Sequence, residues 1–331
     1  MTTYRNLPPL TARLIRTIGD AVAPSAKGAG RLCIVNYHRI LEQPDPLLES
    51  EPNVATFGWQ IALLAECFNV LPLAEAVERL ATDRMPPRAV AITFDDGYRS
   101  THDLALPILK QFKLPATVFV TTGHIENEGS MWNDMILEAV RRLAPAPIDL
   151  SELGLGVFPT HTPAERVHSA GALTEACKYL APEARRALTG KLQALASSDL
   201  GQELMLTAAM VRTLSANNVE IGGHTVTHPI LTRIDEETAR REIVDNKKHL
   251  ETITGKPVRL FAYPNGKRGV DYDERHVRLV QEAGYEAAFT TASGAATRLD
   301  NRYEFPRGRP WDASRLMFAG RLLSWLSGRN R

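Results

Sequence analysis

Cysteine and long apolar runs are scarce in this sequence. Its 331 residues include only three cysteines, Cys33, Cys67 and Cys177, which are far apart and form no CxxC pair. This spacing indicates neither a disulfide framework nor a thiolate zinc site. No apolar run approaches the length of a membrane span, and the segment from Met1 to Leu10 lacks the continuous apolar core of a signal peptide. We therefore expect a cytoplasmic protein.

Net charge is also nearly absent. The formal value of +1 gives no electrostatic reason to expect nucleic acid as a partner. A composition with 44% hydrophobic and 23% charged residues is ordinary for a soluble globular protein. The length suits one large domain with an insertion, or two domains. The sequence shows no internal repeat and no low-complexity segment.

Short apolar runs that predict strands alternate with helical patterns through most of the chain. The strands are predicted at residues 32–38, 89–92, 116–121, 219–221, 258–262 and 285–291. Strand, helix and strand in succession predict a parallel sheet. From about 131 to 215 helical spacing replaces this alternation, and we interpret that stretch as a mostly helical insertion, too long for an ordinary loop. The insertion shapes substrate access or is purely structural; the sequence leaves both open.

Both ends of the chain have amphipathic patterns. Residues 1–30 predict a helix followed by a linker, since Leu10, Leu14 and Ile18 recur at four-residue intervals. Residues 311–331 predict a C-terminal amphipathic tail. We expect both ends to pack against the domain, with weak peripheral contact at the inner face of a membrane as the alternative.

Two adjacent carboxylates end one of the predicted strands. Asp95 and Asp96 follow the run from Ala89 to Ile92 and precede Gly97. Like charges this close repel each other, and burial raises the cost, so the pair requires a cation, a shared proton or donated hydrogen bonds. A solvated turn in which one Asp caps the next helix is the simpler alternative.

His224 and His228 could supply the rest of a cation site. Their spacing alone is a weak signal. Neutral imidazoles and a carboxylate nevertheless form the mixed ligand set that suits zinc and neighbouring divalent metals. The position of these residues is a second argument, because His38, the Asp pair and the two histidines all follow predicted strand ends, where function collects in parallel barrels.

Thr93-Phe94-Asp95-Asp96-Gly97, followed later by His224-Thr225-Val226-Thr227-His228, resembles the motifs of the polysaccharide deacetylases of carbohydrate esterase family 4, the NodB homology domain. The resemblance covers roughly residues 30–125 and 215–310. It implies an α/β fold, a distorted seven-stranded (β/α) barrel over residues 31–310. It also implies a hydrolase that removes N-acetyl groups from aminosugars in a polysaccharide or its precursor, such as an N-acetylglucosamine-containing glycan.

The same resemblance implies one divalent metal ion, with Zn2+ preferred over Co2+, Ni2+ or Mn2+. It assigns Asp96, His224 and His228 as metal ligands and Asp95 as the general base. The chemistry agrees with these residues: the metal polarises the amide carbonyl and acidifies water, while Asp95 takes the proton from that water.

Two departures from the family pattern concern further catalytic residues. Ala262 stands where the family carries an arginine that orients the base, and our candidate replacement is Arg307, for which a surface ion pair is the alternative. The late Leu-x-His motif that supplies the general acid is missing, since the last histidine, His276, lies on a predicted helix. Some relatives carry an equivalent histidine in a Tyr-His pair on the first strand, so we assign His38, after Tyr37, as the general acid.

Candidates for substrate contact come from two regions. Tyr263, Pro264 and Asn265 follow a predicted strand and are expected to line the pocket. In the insertion, Trp132 could stack on a sugar ring and Asp134 could bind hydroxyls or the amine, although a buried tryptophan with an Asp helix cap explains them equally well. A metal amidohydrolase acting on a non-sugar amide and an inactive carbohydrate-binding homologue stay open as alternative functions.

Overall fold

The structure is a computed structural model that describes residues 7–22, 30–127, 131–178, 180, 182–196, 204–309 and 312–328. The chain forms two compact units. The first comprises Met1–Gln43, Ser50–Thr122 and Leu206–Arg331, and the second comprises Pro44–Glu49 and Gly123–Met205. The second unit contains most of the predicted helical insertion. The domain boundaries drawn from the sequence stay a prediction.

Helices and strands alternate in the first unit, and helices dominate the second. The elements, in chain order, are α1 Pro9–Val22, β1 Arg31–Tyr37, α2 Val54–Cys67, β2 Asn69–Val70, α3 Leu73–Ala81, β3 Ala89–Phe94, α4 Leu106–Phe112, β4 Ala116–Val120, α5 Trp132–Arg142, β5 Ile148–Asp149, β6 Val157–Phe158, α6 Pro163–Lys178, α7 Pro182–Ala196, α8 Ala208–Ala216, β7 Val219–Gly223, α9 Glu236–Thr254, β8 Leu260–Ala262, α10 Glu274–Glu282, β9 Ala287–Phe289, β10 Ala295–Thr297 and α11 Arg315–Ser327. Shorter helical turns are Pro46–Leu48, Thr122–Asn127, Ser151–Leu153 and Leu231–Arg233, and a π-helical segment, Thr101–Ala105, leads into α4.

One curled sheet organises the first unit. Seven strands follow the order β10-β1-β3-β4-β7-β8-β9, and β2 pairs with β3 beside this path. All neighbours are parallel except β10, which is antiparallel to β1. The carboxyl ends of parallel strands meet at one edge, so the residues that follow β1, β3, β7 and β8 are brought together there. The predicted α/β class, a distorted seven-stranded NodB-like barrel, is confirmed.

Residues 305–308 span the gap between β9 and β1. Phe305 exchanges backbone hydrogen bonds with Ala288 and Thr290 at 3.0 and 2.9 Å, and Gly308 exchanges them with Ile34 and Asn36, both at 2.9 Å. These contacts form a pair of isolated parallel bridges rather than a regular strand. This segment continues the curl of the sheet and carries Arg307 on its inner side.

Gly308 allows the backbone of residues 305–308 to lie directly against helix α11. A Cβ atom at this position would lie 1.9 Å from the Trp325 ring of α11, far inside van der Waals contact. Only glycine has no Cβ, so the backbone can approach the helix this closely.

Apolar side chains fill the interior of each unit. In the first, Leu32, Ile34, Phe119, Leu260 and Phe289 belong to a buried core cluster inside the curl. The second unit has its own core, formed by residues of α5, β5, α6 and α7 and the segment after β5. Both β1 and β3 are buried almost throughout, as expected of strands covered on both faces.

The two amphipathic ends pack against the first unit. Helix α1 contacts α2 and α11 and buries Ala12, Ile15 and Gly19, while Leu10 and Leu14 are exposed. Helix α11 contacts α2 and β1 and leaves Leu316 and Met317 exposed. Within the described ranges, no helix is long and apolar enough to cross a membrane. The predicted linker, apart from its last residue, lies outside the described residues, and the predicted membrane contact stays a prediction.

Candidate active site

Asp96, His224 and His228 meet at the carboxyl edge of the sheet. Nε2 of His224 and Nε2 of His228 lie 3.3 and 3.4 Å from the same oxygen, Oδ1 of Asp96. One ligand atom of each residue lies within 4.8 Å of the others. Asp96 follows β3 with φ of +74°, and His228 has φ of +54°, so both side chains are presented from left-handed backbone.

The hydrogen bond made by Nδ1 of His224 is the one expected of a metal-binding histidine. Its Nδ1 lies 2.7 Å from the carbonyl oxygen of Ala262, which can only accept, so Nδ1 carries a proton and donates it. Its Nε2 faces the Asp96 carboxylate, and this approach requires a proton or a cation between the two atoms. Metal-binding histidines almost always donate their second N–H in this way.

The charges of this cluster support the same interpretation. Burial raises the pKa of Asp96, but the hydrogen bond from His224 and the charges of His38, His228 and His224 outweigh it and hold the pKa well below its usual range. Burial lowers the pKa of His224, and Asp96 and Asp95 more than offset this and raise it. Asp96 is therefore a carboxylate, and a bound cation would replace the proton on Nε2 of His224.

Asp95 lies beside this cluster but has a different partner. Nη1 and Nη2 of Arg307 donate to its two carboxylate oxygens at 2.6 and 2.8 Å, and the Asn36 amide donates to Oδ2 at 2.9 Å. The Arg307 side chain is itself held by the carbonyl oxygen of Thr290, to which Nε donates at 3.1 Å. Burial raises the pKa of Asp95, but Arg307 and the nearby histidines lower it to about 2.

Arg307 is only 1% exposed, so the alternative of a surface ion pair does not describe it. Its two-point contact fixes the plane of the Asp95 carboxylate, because two parallel N–H···O bonds permit one orientation. Arg307 thus lies where an arginine that orients the base would have to lie.

His38 follows β1 and contacts a second arginine. Nη2 of Arg309 lies 2.8 Å from Nε2 of His38, and since a guanidinium only donates, Nε2 accepts. Nδ1 is buried without a hydrogen-bond partner among the described residues. Glu51 lies on the other side of Arg309, with 3.6 Å between Oε1 and Nη1. Burial and then Arg309 lower the pKa of His38, against the opposing effects of Asp96, Asp95 and Glu51.

This contact yields a prediction about the titration of His38. Arg309→Met removes one of the two causes that lower the pKa, so we expect the pKa of His38 to rise toward its ordinary value of about 6.5. In the wild-type protein the pKa of His38 is lower in the folded state than in the unfolded state, so the free energy of unfolding falls as the pH drops below about 6.5. In Arg309→Met the two pKa values are closer, so this fall should be smaller. Histidine NMR titration at a fixed metal content measures the shift. Arg79→Met, on α3, is the control, and an equal His38 pKa in both variants would contradict the prediction.

The three proposed substrate contacts that follow β8 differ from one another in exposure. Tyr263 and Pro264 are buried, and the Tyr263 ring stacks on Tyr272 at 3.9 Å between centroids, so neither presents an open surface in this structure. Only Asn265 of this trio is partly exposed. Aromatic stacking explains the burial of Tyr263. The part of Tyr263, Pro264 and Asn265 in substrate binding stays a prediction.

Trp132 and Asp134 belong to the second unit. The Arg185 guanidinium lies 5.1 Å from the centroid of the Trp132 ring, which packs against the core of that unit. Asp134 is buried at 1% exposure on α5. Their part in substrate binding stays a prediction.

Several residues of the site were not singled out from the sequence. Asn36 contacts Asp95, Arg309 contacts His38, and Glu242 and Asn246 contact the loop that carries the two histidines. A signal existed for Asn36, which interrupts an otherwise apolar strand, and for Arg309, two positions after Arg307 on an extended segment. Nothing in the helical spacing of α9 distinguished Glu242 or Asn246 from the other polar residues of that helix.

The fold and the site together define an α/β barrel with a candidate metal centre and a buried carboxylate–arginine pair. The sequence model of the family described as polysaccharide deacetylase matches residues 82–153 and 183–288, more than half of the chain. The chain belongs to the polysaccharide deacetylase family.

Similar proteins agree with this assignment. Over 237 residues the chain is 36% identical to the poly-beta-1,6-N-acetyl-D-glucosamine N-deacetylase of Staphylococcus aureus, and the match covers 72% of this chain but 59% of that enzyme. The fold is similar to that of the Streptococcus pyogenes deacetylase PplD, with a TM-score of 0.59, 20% identity and coverage of 89% of this chain and 98% of that one. It is also similar to that of IcaB from Ammonifex degensii, with a TM-score of 0.56, 16% identity and coverage of 90% and 97%.

Proposed function

We propose that this protein is a metal-dependent N-deacetylase acting on N-acetylated aminosugars, in a polysaccharide or its precursor. The observation that carries the proposal is that two adjacent carboxylates have different partners. Asp96 faces two imidazoles through one oxygen, whereas Asp95 is held by Arg307 through both. This division suits one carboxylate that binds a cation and one that handles a proton.

The residues can perform the steps of amide hydrolysis. A divalent cation held by Asp96, His224 and His228, with zinc as the first choice, would polarise the amide carbonyl and lower the pKa of water. Asp95, anionic at neutral pH, accepts a proton from the attacking water while Arg307 fixes its orientation. Water oxygen bonds to the carbonyl carbon, the carbon–nitrogen bond breaks, and acetate and a free amine result.

The leaving amine needs a proton, and His38 is the proposed donor. To donate a proton, His38 must start as an imidazolium, with protons on both ring nitrogens. Nε2 accepts a hydrogen bond from Arg309 in this structure, so it can be protonated only when Arg309 turns away. Glu51 is close enough to hold the guanidinium in that state. The arrangement in this structure is therefore the neutral state of His38.

The substrate is inferred from relatives as well as from the site. The staphylococcal enzymes are named for poly-beta-1,6-N-acetyl-D-glucosamine, and this chain spans 59% of their length. We take an N-acetylglucosamine polymer as the substrate class. The proposed contacts are Tyr263, Pro264, Asn265, Trp132 and Asp134. We also propose a cytoplasmic location with weak peripheral contact at the inner face of a membrane, as the sequence predicts.

Acetate release tests the proposed function. The metal-loaded protein is incubated with oligomers of poly-beta-1,6-N-acetylglucosamine, with chitin oligomers and with acetamide, and Asp95→Asn is the matched control. We expect acetate from at least one sugar substrate, and less from the simple amide. Release from the amide alone would indicate a non-sugar amidohydrolase, and bound metal without release from any substrate would overturn the enzymatic proposal in favour of a binding protein.

A further inference from the structure

The loop from His224 to His228 carries two of the three candidate metal ligands on strained backbone. Thr225 has φ of +65° and His228 has φ of +54°. Left-handed backbone is unfavourable for a β-branched residue such as threonine, and such a residue persists only where its surroundings hold it, at a cost of about 1–3 kcal/mol. A short loop between β7 and the following turn cannot supply this restraint by itself.

Glu242 on helix α9 supplies one part of the restraint. Its Oε2 accepts hydrogen bonds from the backbone N–H groups of Val226 and Thr227, both at 2.8 Å. Its Oε1 accepts from the Thr227 hydroxyl at 2.7 Å. One carboxylate thus binds three donors in the middle of the loop, between the two histidines.

Asn246, one helical turn further along α9, supplies the second part. Its Oδ1 accepts from the backbone N–H of His224 at 3.0 Å, and its Nδ2 donates to the carbonyl oxygen of Thr225 at 2.5 Å and to that of Val120, at the end of β4, at 3.0 Å. The side chain is completely buried. Asn246 therefore fixes the start of the loop relative to the neighbouring strand.

We infer that Glu242 and Asn246 act as a pair of positioning residues that hold the 224–228 loop in its metal-binding conformation before the cation arrives. Residues four apart lie on one face of a helix, so α9 presents both to the same loop. Neither touches the ligand atoms, and both act through the backbone of the loop. The inference rests on the proposed metal site and adds α9 as its scaffold.

The test compares the metal affinity of Glu242→Ala with that of Glu237→Ala. Glu237 lies on the same helix, is exposed and pairs with Arg241, so its substitution removes the same charge without touching the loop. Groups that orient metal ligands typically contribute about 10–100-fold to metal affinity. We expect a loss of that size for Glu242→Ala and none for Glu237→Ala, measured by zinc and cobalt titration of the chelator-treated full chain, with the cobalt spectrum as a second readout.

Equal affinity in the two variants would overturn the inference. If Glu242→Ala fails to fold, the metal affinity of Glu242→Gln is compared with that of Glu237→Ala instead. A neutral amide oxygen is a weaker acceptor than a carboxylate, so the loop should be held less firmly and the affinity should still fall. Absence of metal binding by the wild-type chain would instead refute the proposed metal site, so the two failures are distinguishable. Asn246→Ala is judged by the same zinc and cobalt titration at a temperature where the variant is folded. We expect a loss of metal affinity of the same size, and wild-type affinity would remove Asn246 from the pair.

Discussion

Asp95→Asn is expected to lower kcat for deacetylation by about 10²–10⁴-fold, the range that a positioned general base contributes. The asparagine keeps the shape of the side chain but cannot take a proton from water. Because Asp96, His224 and His228 are unchanged, the metal content should equal that of the wild-type protein. Steady-state acetate release and metal analysis of the same preparation measure both quantities.

The same substitution should also destabilise the protein. Arg307 is fully buried, and Asp95 is its bidentate counter-charge. Removing one partner of such a pair leaves an uncompensated buried charge, which typically costs about 3–5 kcal/mol. Urea unfolding of the chelator-treated protein measures this loss. A variant with normal turnover would show that Asp95 is not the base, and one with normal stability would show that the ion pair contributes little.

Asp96→Asn is expected to remove the metal rather than the base. Asp96 Oδ1 is the atom that both imidazoles face, so it lies at the centre of the ligand set. Loss of a direct ligand should exceed the effect of losing an orienting residue, and we expect metal affinity to fall by more than about 100-fold. Activity should fall with it and return in part at high metal concentration.

Asp245→Asn is the matched control for this change. It makes the same substitution at an exposed position on α9 and should leave metal affinity at the wild-type value. Titration with zinc, followed by acetate release across metal concentrations, separates weakened binding from lost chemistry. Unchanged affinity in Asp96→Asn would exclude Asp96 as a ligand.

Much of the site followed from the order of strands in the sequence. Because β1, β3 and β7 are parallel neighbours or near neighbours in one sheet, their carboxyl ends share an edge, and residues 38, 95, 96 and 224 are placed together without further information. Tyr37-His38 and the Asp pair were therefore identifiable from apolar runs that end in polar residues. The same alternation predicted the parallel sheet, and the family resemblance supplied the seven-stranded barrel.

The remaining parts depend on contacts that periodicity does not encode. Arg307 reaches Asp95 because residues 305–308 enter the gap between β9 and β1, and this entry depends on Gly308 passing beneath Trp325. The burial of Tyr263 depends on its stacking on Tyr272, nine positions later in the chain. Side-chain contacts between segments far apart in sequence required the structure.

The most direct test of the central claim is acetate release from poly-beta-1,6-N-acetylglucosamine oligomers by one preparation before and after metal removal. We expect no release from the chelator-treated wild-type chain, recovery on addition of one equivalent of Zn2+, and no recovery in Asp95→Asn. Release at the full rate by metal-free protein would contradict it.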